Sequence, residues 1–234
     1  MYHFKTKNDS EQYYFDIYLN YCFNFGKKFQ QRSFISTVPF RISPSLVESV
    51  SSNGFSIYER FSMTLQLSEC SFQEPDLNGF SIQSNIGDYT NEIIELIMSA
   101  NKNQIDAKIF PDFSDFTIMK RVLGFEEPTN HSFSEEASVL LFKNSKLIGL
   151  NLIQFQTDST ALVFELAIDP KFRRRKLGSR LMVCSILVLK DLGMKELILN
   201  VSAGNPAQIV YESIGFKIQK NSYTTVLRKD YVIN

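Results

Sequence analysis

The sequence predicts an α/β (α+β) fold: an antiparallel strand meander that feeds a helix and then a further strand, with a smaller lobe ahead of it. Three stretches carry that expectation. Val139 to Phe142, Leu147 to Phe155 and Leu162 to Ile168 are rich in strand formers and are separated by the polar turns Lys143-Asn144-Ser145-Lys146 and Thr157-Asp158-Ser159, which is the pattern of two hairpins. Asp169-Pro170 then stops the third run, and a basic loop, Lys171 to Ser179, enters the apolar segment Leu181 to Leu192. Proline cannot extend a central strand, and glycine at 193 can close the helix that follows. Finally, Glu196 to Val201 reads as a further strand, and Pro206 opens the last helix at the position where a missing N–H costs least.

Ahead of the meander, the spacing of Tyr14, Phe15, Tyr18, Tyr21, Cys22 and Phe25 predicts a buried helix face between Gln12 and Phe29. Phe34 to Val38 reads as a strand stopped by Pro39. A short helix is expected after Pro44, through Leu46, Val47 and Val50 to Gly54. From Phe55 to Leu67, the residues Ile57, Glu59, Phe61, Met63, Leu65 and Leu67 alternate with polar partners at the strand period. Ser68 to Asn78 is the expected linker, dividing an N-terminal lobe (1–72) from a larger domain (79–234). That domain is expected to open with a strand near Phe80-Ser81-Ile82. A helix capped by Asp88 follows, with Ile93, Ile94, Ile97 and Met98 as its stripe and Asn101 near its end, then a second helix over Asp112 to Leu123 and a loop to Glu136.

Composition narrows the class. Lys+Arg and Asp+Glu balance at 25 each in 234 residues, which weighs against a generic polyanion binder, because such binding needs a basic excess. Three scattered cysteines, Cys22, Cys70 and Cys184, do not make a disulfide framework, and His3 and His131 with no clustered thiols give no metal-ligand spacing. The N-terminal residues hold no uninterrupted apolar run, and Leu181 to Leu189 is too short to span a bilayer. The expectation is a cytoplasmic protein.

A loop of backbone donors at a helix N-terminus with cations around it suits a phosphate or pyrophosphate. Ile168-Asp169-Pro170 followed by Arg173, Arg174, Arg175, Lys176, Leu177 and Gly178 resembles the V-x-P and R/Q-x-x-G-x-G/A signature of the GNAT family, the acetyl-CoA-dependent N-acetyltransferases. Asn205-Pro206-Ala207 through Tyr211 to Gly215-Phe216 echoes the family's N-x-x-A-x-x-x-Y-x-x-x-G-F segment. Two positions depart: Lys176 stands at the first glycine, and Asn205 is one residue too close to Tyr211. The resemblance covers roughly Gly79 to Asp230 and implies a mixed, mostly antiparallel twisted sheet flanked by helices. Glu48-Ser49-Val50 before Gly54-Phe55-Ser56-Ile57 repeats the order of Glu212-Ser213-Ile214 before Gly215-Phe216-Lys217-Ile218, as though the N-terminal lobe were the back half of a second, non-catalytic GNAT unit.

The resemblance implies acetyl-CoA as co-substrate, direct transfer in a ternary complex, and a small-molecule or peptide amine as acceptor, in a monomer or homodimer with no membrane partner. It implies that Arg173, Arg174, Arg175 and Lys176 surround the pyrophosphate, with the amides of Lys176, Leu177, Gly178 and Ser179 as donors. Leu166, Ala167 and Ile168 would pair with the pantetheine arm, and Asn205 stands near CoA or caps its helix. Tyr211 would protonate the departing thiolate. Glu165, the sole charged residue between Ala161 and Ile168, shares a face with Val163 and Ala167 by simple alternation. There it serves either as general base for the amine or in an ion pair with a nearby arginine. Two other readings stay open: a CoA-binding sensor or scaffold without turnover, and a nucleic-acid-associated protein using the basic run, which zero net charge and missing aromatic interleaving weaken.

Overall fold

The computed structural model describes residues 33–38, 42–110, 114–126 and 132–230. The segment Gln12 to Phe29, expected to be helical, lies outside them, as do Pro39 and Asp112. The strands are β1 (Ser33–Val38), β2 (Ser56–Gln66), β3 (Ser81–Gln83), β4 (Val139–Lys143), β5 (Lys146–Phe155), β6 (Thr160–Ile168), β7 (Glu196–Ser202), β8 (Lys217–Ile218) and β9 (Thr224–Asp230). The helices are α1 (Pro44–Ser52), α2 (Thr90–Asn101), α3 (Ile105–Ile109), α4 (Phe116–Val122), α5 (Leu177–Asp191) and α6 (Ala207–Ile214).

These elements fall into two compact units, Met1–Arg60 with Asn221–Asn234, and Phe61–Lys220, whereas the expected boundary lay within Ser68 to Asn78. In the first unit β9 runs antiparallel to both β1 and the first residues of β2, with Phe34 opposite Lys229 and Ile57 opposite Leu227. That pairing carries the C-terminal strand into the first unit. Ser43 caps α1 through its side chain, Pro44 sits in the first turn, and Gly54 takes φ 77° to lead into β2. Val38, Leu46, Val50, Phe55 and Leu227 form the core of this unit.

The second unit is built on the meander. Its strand order is β2-β7-β6-β5-β4-β3, with β8 on β2; β3 to β6 pair antiparallel and β6 pairs parallel with β7. One face carries α2 and α4, and Ile93, Ile94, Ile97, Met119, Leu123, Leu140, Leu150 and Leu152 pack there. The other carries α5, where Leu177 and Leu181 meet Val139, Leu141 and Ile148. Burial of both faces explains why β4 and β5 read as nearly continuous apolar runs.

Three local expectations are corrected. Asp88 does not cap α2: it lies in a 3-10 turn, Gly87–Tyr89, and accepts a hydrogen bond from Asn85 Nδ2, while Tyr89 precedes the helix with no side-chain cap. The helix expected from Asp112 begins later, at Phe116, where Asp115 accepts from Ile118 N, and a short helix, α3, precedes it. The set of residues that share a face with Glu165 also changes. Leu152 lies opposite Glu165 and Ile153 opposite Val163, so Phe164 is an extra residue in β6. This bulge reverses the parity of the strand: Glu165 keeps the face of Ala167, toward α2, and Val163 turns to the other.

Candidate active site

The bulge does more than turn a side chain. The parallel ladder pairs Thr160, Ala161, Leu162 and Val163 with Glu196, Leu197, Ile198 and Leu199 and stops there, at the bulge. Leu166, Ala167 and Ile168 keep their partners in β5, Asn151, Leu150 and Gly149, and have none in β7. A sheet that parts along one edge offers a row of backbone groups to an extended ligand.

Where β6 ends, the chain turns sharply. Asp169 Oδ1 accepts from Lys171 N at 2.9 Å, fixing the 3-10 turn Pro170–Phe172. Arg174 and Lys176 then adopt left-handed conformations, φ 64° and 59°. A left-handed Lys176 at the N-cap of α5 explains why the related signature has glycine here, since a side chain costs about 1 kcal/mol in that conformation. Lys176 supplies no side-chain cap, and the first intrahelical bond is Arg180 N to Lys176 O. The amides of Leu177, Gly178 and Ser179 therefore stand at the positive end of a 15-residue helix. Gly178 is set over Leu166 and Ile168, where a Cβ would meet only ordinary contacts at 3.7 and 4.0 Å.

The four basic side chains of this loop separate. Arg173 is half-buried, and its guanidinium donates to Ile168 O at 3.3 Å and to Ala100 O. It thus ties the end of β6 to the last turn of α2. Arg175 lies over the Phe172 ring, 5.3 Å from its centroid. Arg174, Arg175 and Lys176 are exposed and form the cationic rim.

Tyr211 is buried in α6, with its ring edge-on to Phe216 at 6.0 Å. Burial first, and then the carboxylates of Glu165 and Asp106, push its phenol well above the usual range, so it stays protonated at neutral pH. Glu165 accepts from Asn101 Nδ2 at 3.3 Å. The Glu165 carboxylate is thus close enough to Tyr211 to act on its phenol.

Asn205 stands at the start of α6. Its Oδ1 accepts from Ala207 N at 2.9 Å, capping α6, and its Nδ2 donates to Asp106 at 2.7 Å. Both ends of the amide are engaged. Sequence reasoning missed Asn101 and Asp106 as members of this group. The one signal was that Asp106 is the sole acidic residue between Glu95 and Asp112, and nothing local says which side of the sheet it faces.

The geometry has counterparts among known proteins. Residues 135–218 match the family described as acetyltransferase (GNAT) domain. The chain is 38% identical over 98 residues to "[Ribosomal protein bS18]-alanine N-acetyltransferase" of Escherichia coli (strain K12), a match that takes in 40% of this chain and 66% of the relative's length. Among solved structures, a functionally unknown conserved protein from Staphylococcus epidermidis ATCC 12228 superposes with a TM-score of 0.68 at 15% identity, over 97% of this chain and 83% of that one. A GCN5-related N-acetyltransferase from Sphaerobacter thermophilus gives 0.62 at 16% identity, over 85% and 60%. At such identities these two speak for the fold.

Proposed function

Because this chain belongs to the GNAT family, we propose that it transfers an acetyl group from acetyl-CoA directly to a primary amine, and that the acceptor is the α-amine of a protein or peptide. The observation that carries the reading is the join of two features: a strand edge left by the ladder that stops at Val163, and the uncapped N-terminus of α5 directly beyond it. One holds an extended chain and the other a pyrophosphate. The acceptor class rests on the curated relatives, which are named for acetylating an alanine of a ribosomal protein. The odd, scattered cysteines fit a cytoplasmic enzyme.

Acetyl-CoA, when bound, supplies an activated thioester. The residues that would hold it are Leu166, Ala167 and Ile168 along the strand edge, the amides of Leu177, Gly178 and Ser179, and the cations of Arg174, Arg175 and Lys176. Arg173 acts from behind, keeping the end of β6 against α2. Glu165 takes the proton that the ammonium must lose before it can attack. An N–H of the strand edge stabilises charge on the acetyl oxygen. Tyr211 holds a proton for the leaving sulfur. Burial keeps its phenol neutral, and a thiolate in the same dry surroundings is raised in basicity for the same reason.

The test joins binding to turnover. Calorimetric titration with acetyl-CoA is expected to give one equivalent per chain, and mass spectrometry of a panel of amines, peptides beginning with alanine among them, is expected to show acetylation. Tyr211→Phe should lower turnover about 10²–10⁴-fold while binding and melting temperature hold. CoA binding with no acetylation across the panel would replace this reading with that of a CoA sensor, and unchanged turnover in Tyr211→Phe would remove the phenol from the mechanism.

A further inference from the structure

Asp106 stands on α3, and both of its carboxylate oxygens bond the turn that launches the helix of Tyr211. Oδ1 accepts from Ser202 Oγ at 2.6 Å, and Oδ2 accepts from Asn205 Nδ2 at 2.7 Å. Ser202 is the last residue of β7 and is 1% exposed. The turn closes further on itself, with Asn205 N bonded to Ser202 O at 3.0 Å and Gln208 N to Asn205 O at 3.1 Å. Asn205 Oδ1 then caps α6 through Ala207 N. A continuous chain of hydrogen bonds therefore runs from α3 through the turn into the first residue of α6, whose fifth residue is Tyr211.

Resting on the acetyltransferase reading, we infer that Asp106 is a positioning residue: it sets the placement of Tyr211 by bracing the turn 202–207, and so makes the proton donor's geometry depend on where α3 sits. The bonds it makes are charge-assisted, shorter and roughly twice as strong as neutral ones, and two of them on one carboxylate fix the turn in position as well as in distance. The motif shift gains a reason. With one residue fewer between Asn205 and Tyr211 than the GNAT segment has, Asn205 falls opposite Asp106, where it caps α6 and receives the brace together.

The experiment is a substitution series in the full chain. Asp106→Asn keeps the size but removes the charge that strengthens both bonds, and its NH₂ can meet the Ser202 hydroxyl only as a donor, which reverses that bond. Turnover is expected to fall about 10- to 100-fold, the range that a misplacement of about 1 Å produces, while KM for acetyl-CoA stays within about twofold because the 173–179 loop is untouched. Adding Asn205→Asp to Asp106→Asn exchanges the two partners: a carboxylate still accepts the Ala207 amide and a carboxamide donates back from α3. This double substitution is expected to restore turnover to within about threefold of the parent. A loss that tracks the melting temperature and is not rescued by the exchange would overturn the inference, as would turnover within twofold in Asp106→Asn alone.

A second readout does not require activity. In protein labelled with 13Cζ-tyrosine, the Tyr211 resonance is identified by its disappearance in Tyr211→Phe. Asp106→Asn is expected to move it, and the exchange to bring it back. Should the unsubstituted protein acetylate nothing in the panel, the acetyltransferase reading fails by itself. The resonance then decides the positioning inference: movement with return upholds it, and a fixed resonance ends it.

Discussion

Two turns in the second unit share one grammar and end differently. Asp169 to Lys176 leads β6 into α5, and Ala203 to Pro206 leads β7 into α6. In the first, no side chain caps the helix, two residues are held in left-handed conformations, and the side chains of Arg174, Arg175 and Lys176 are exposed. In the second, Asn205 caps the helix and Asp106 reaches across to lock the cap. Adjacent strand–turn–helix units have thus been spent on opposite tasks. One leaves its amides without a side-chain cap; the other bonds its amides and side chains within the protein.

The widest separation between the two is expected from charge. Gly178→Asp puts a carboxylate at the open helix end, where it competes for the amides and repels a pyrophosphate. The room around Gly178 admits a Cβ, so the fold should hold. Acetyl-CoA affinity measured by calorimetry is expected to fall about 30- to 100-fold, the equivalent of about 2–3 kcal/mol for hydrogen bonds to a charged group. Unchanged affinity would mean that the open turn is not the anion site.

In the closed turn the same kind of change should cost stability and spare the cofactor. Asn205→Ala removes a helix cap, a loss of about 1–2 kcal/mol, and in a chain of this size a thermal melt should shift down by about 2–4 °C per kcal/mol. Acetyl-CoA affinity is expected to stay within about twofold. A large loss of affinity with an unchanged melt would return Asn205 to the cofactor site.

Tyr211 provides a smaller effect at high pH. Its phenol is raised above the unfolded-state value near 10, so the stability it contributes is fully present below pH 10 and is lost as pH rises above that. At pH 11 the loss amounts to about 1.4 kcal/mol. Between pH 9 and pH 11 the melting temperature of the parent should therefore fall further than that of Tyr211→Phe. Parallel losses would show that the phenol ionises freely.

The smallest effect falls on the left-handed lysine. Lys176→Gly relieves about 1 kcal/mol of backbone strain, partly offset by about 0.4–1 kcal/mol from a freer unfolded chain. The melting temperature should hold or rise by no more than about 2 °C, and acetyl-CoA affinity should fall or hold because a cation leaves the rim. A clear gain in affinity would show that Lys176 obstructs the site.

What the sequence determined by itself is what neighbours in the chain can settle. The two hairpins follow from polar turns between apolar runs, the end of β6 from Pro170, the start of α1 from Ser43 and Pro44, and the left-handed exit of α6, φ 109°, from Gly215. The open turn belongs to this class, because a proline, a basic run and a glycine within ten residues mark both the helix start and its charge. The tertiary structure alone decided the rest. β9 is a strand because β1 and β2 lie on either side of it; its four apolar or β-branched residues before Arg228 are too few to say so. Val163 left the face of Glu165 and Ala167 because one extra residue, Phe164, reversed the alternation, and a register shift of one leaves no trace in composition. Arg173 left the cationic rim because two carbonyls, on β6 and α2, came within reach of its guanidinium. Asp106 meets Ser202 and Asn205 across separations of 96 and 99 residues. Propensity, capping and turn chemistry act over a few residues, whereas a bond of that span exists only once the sheet has brought α3 and the end of β7 together.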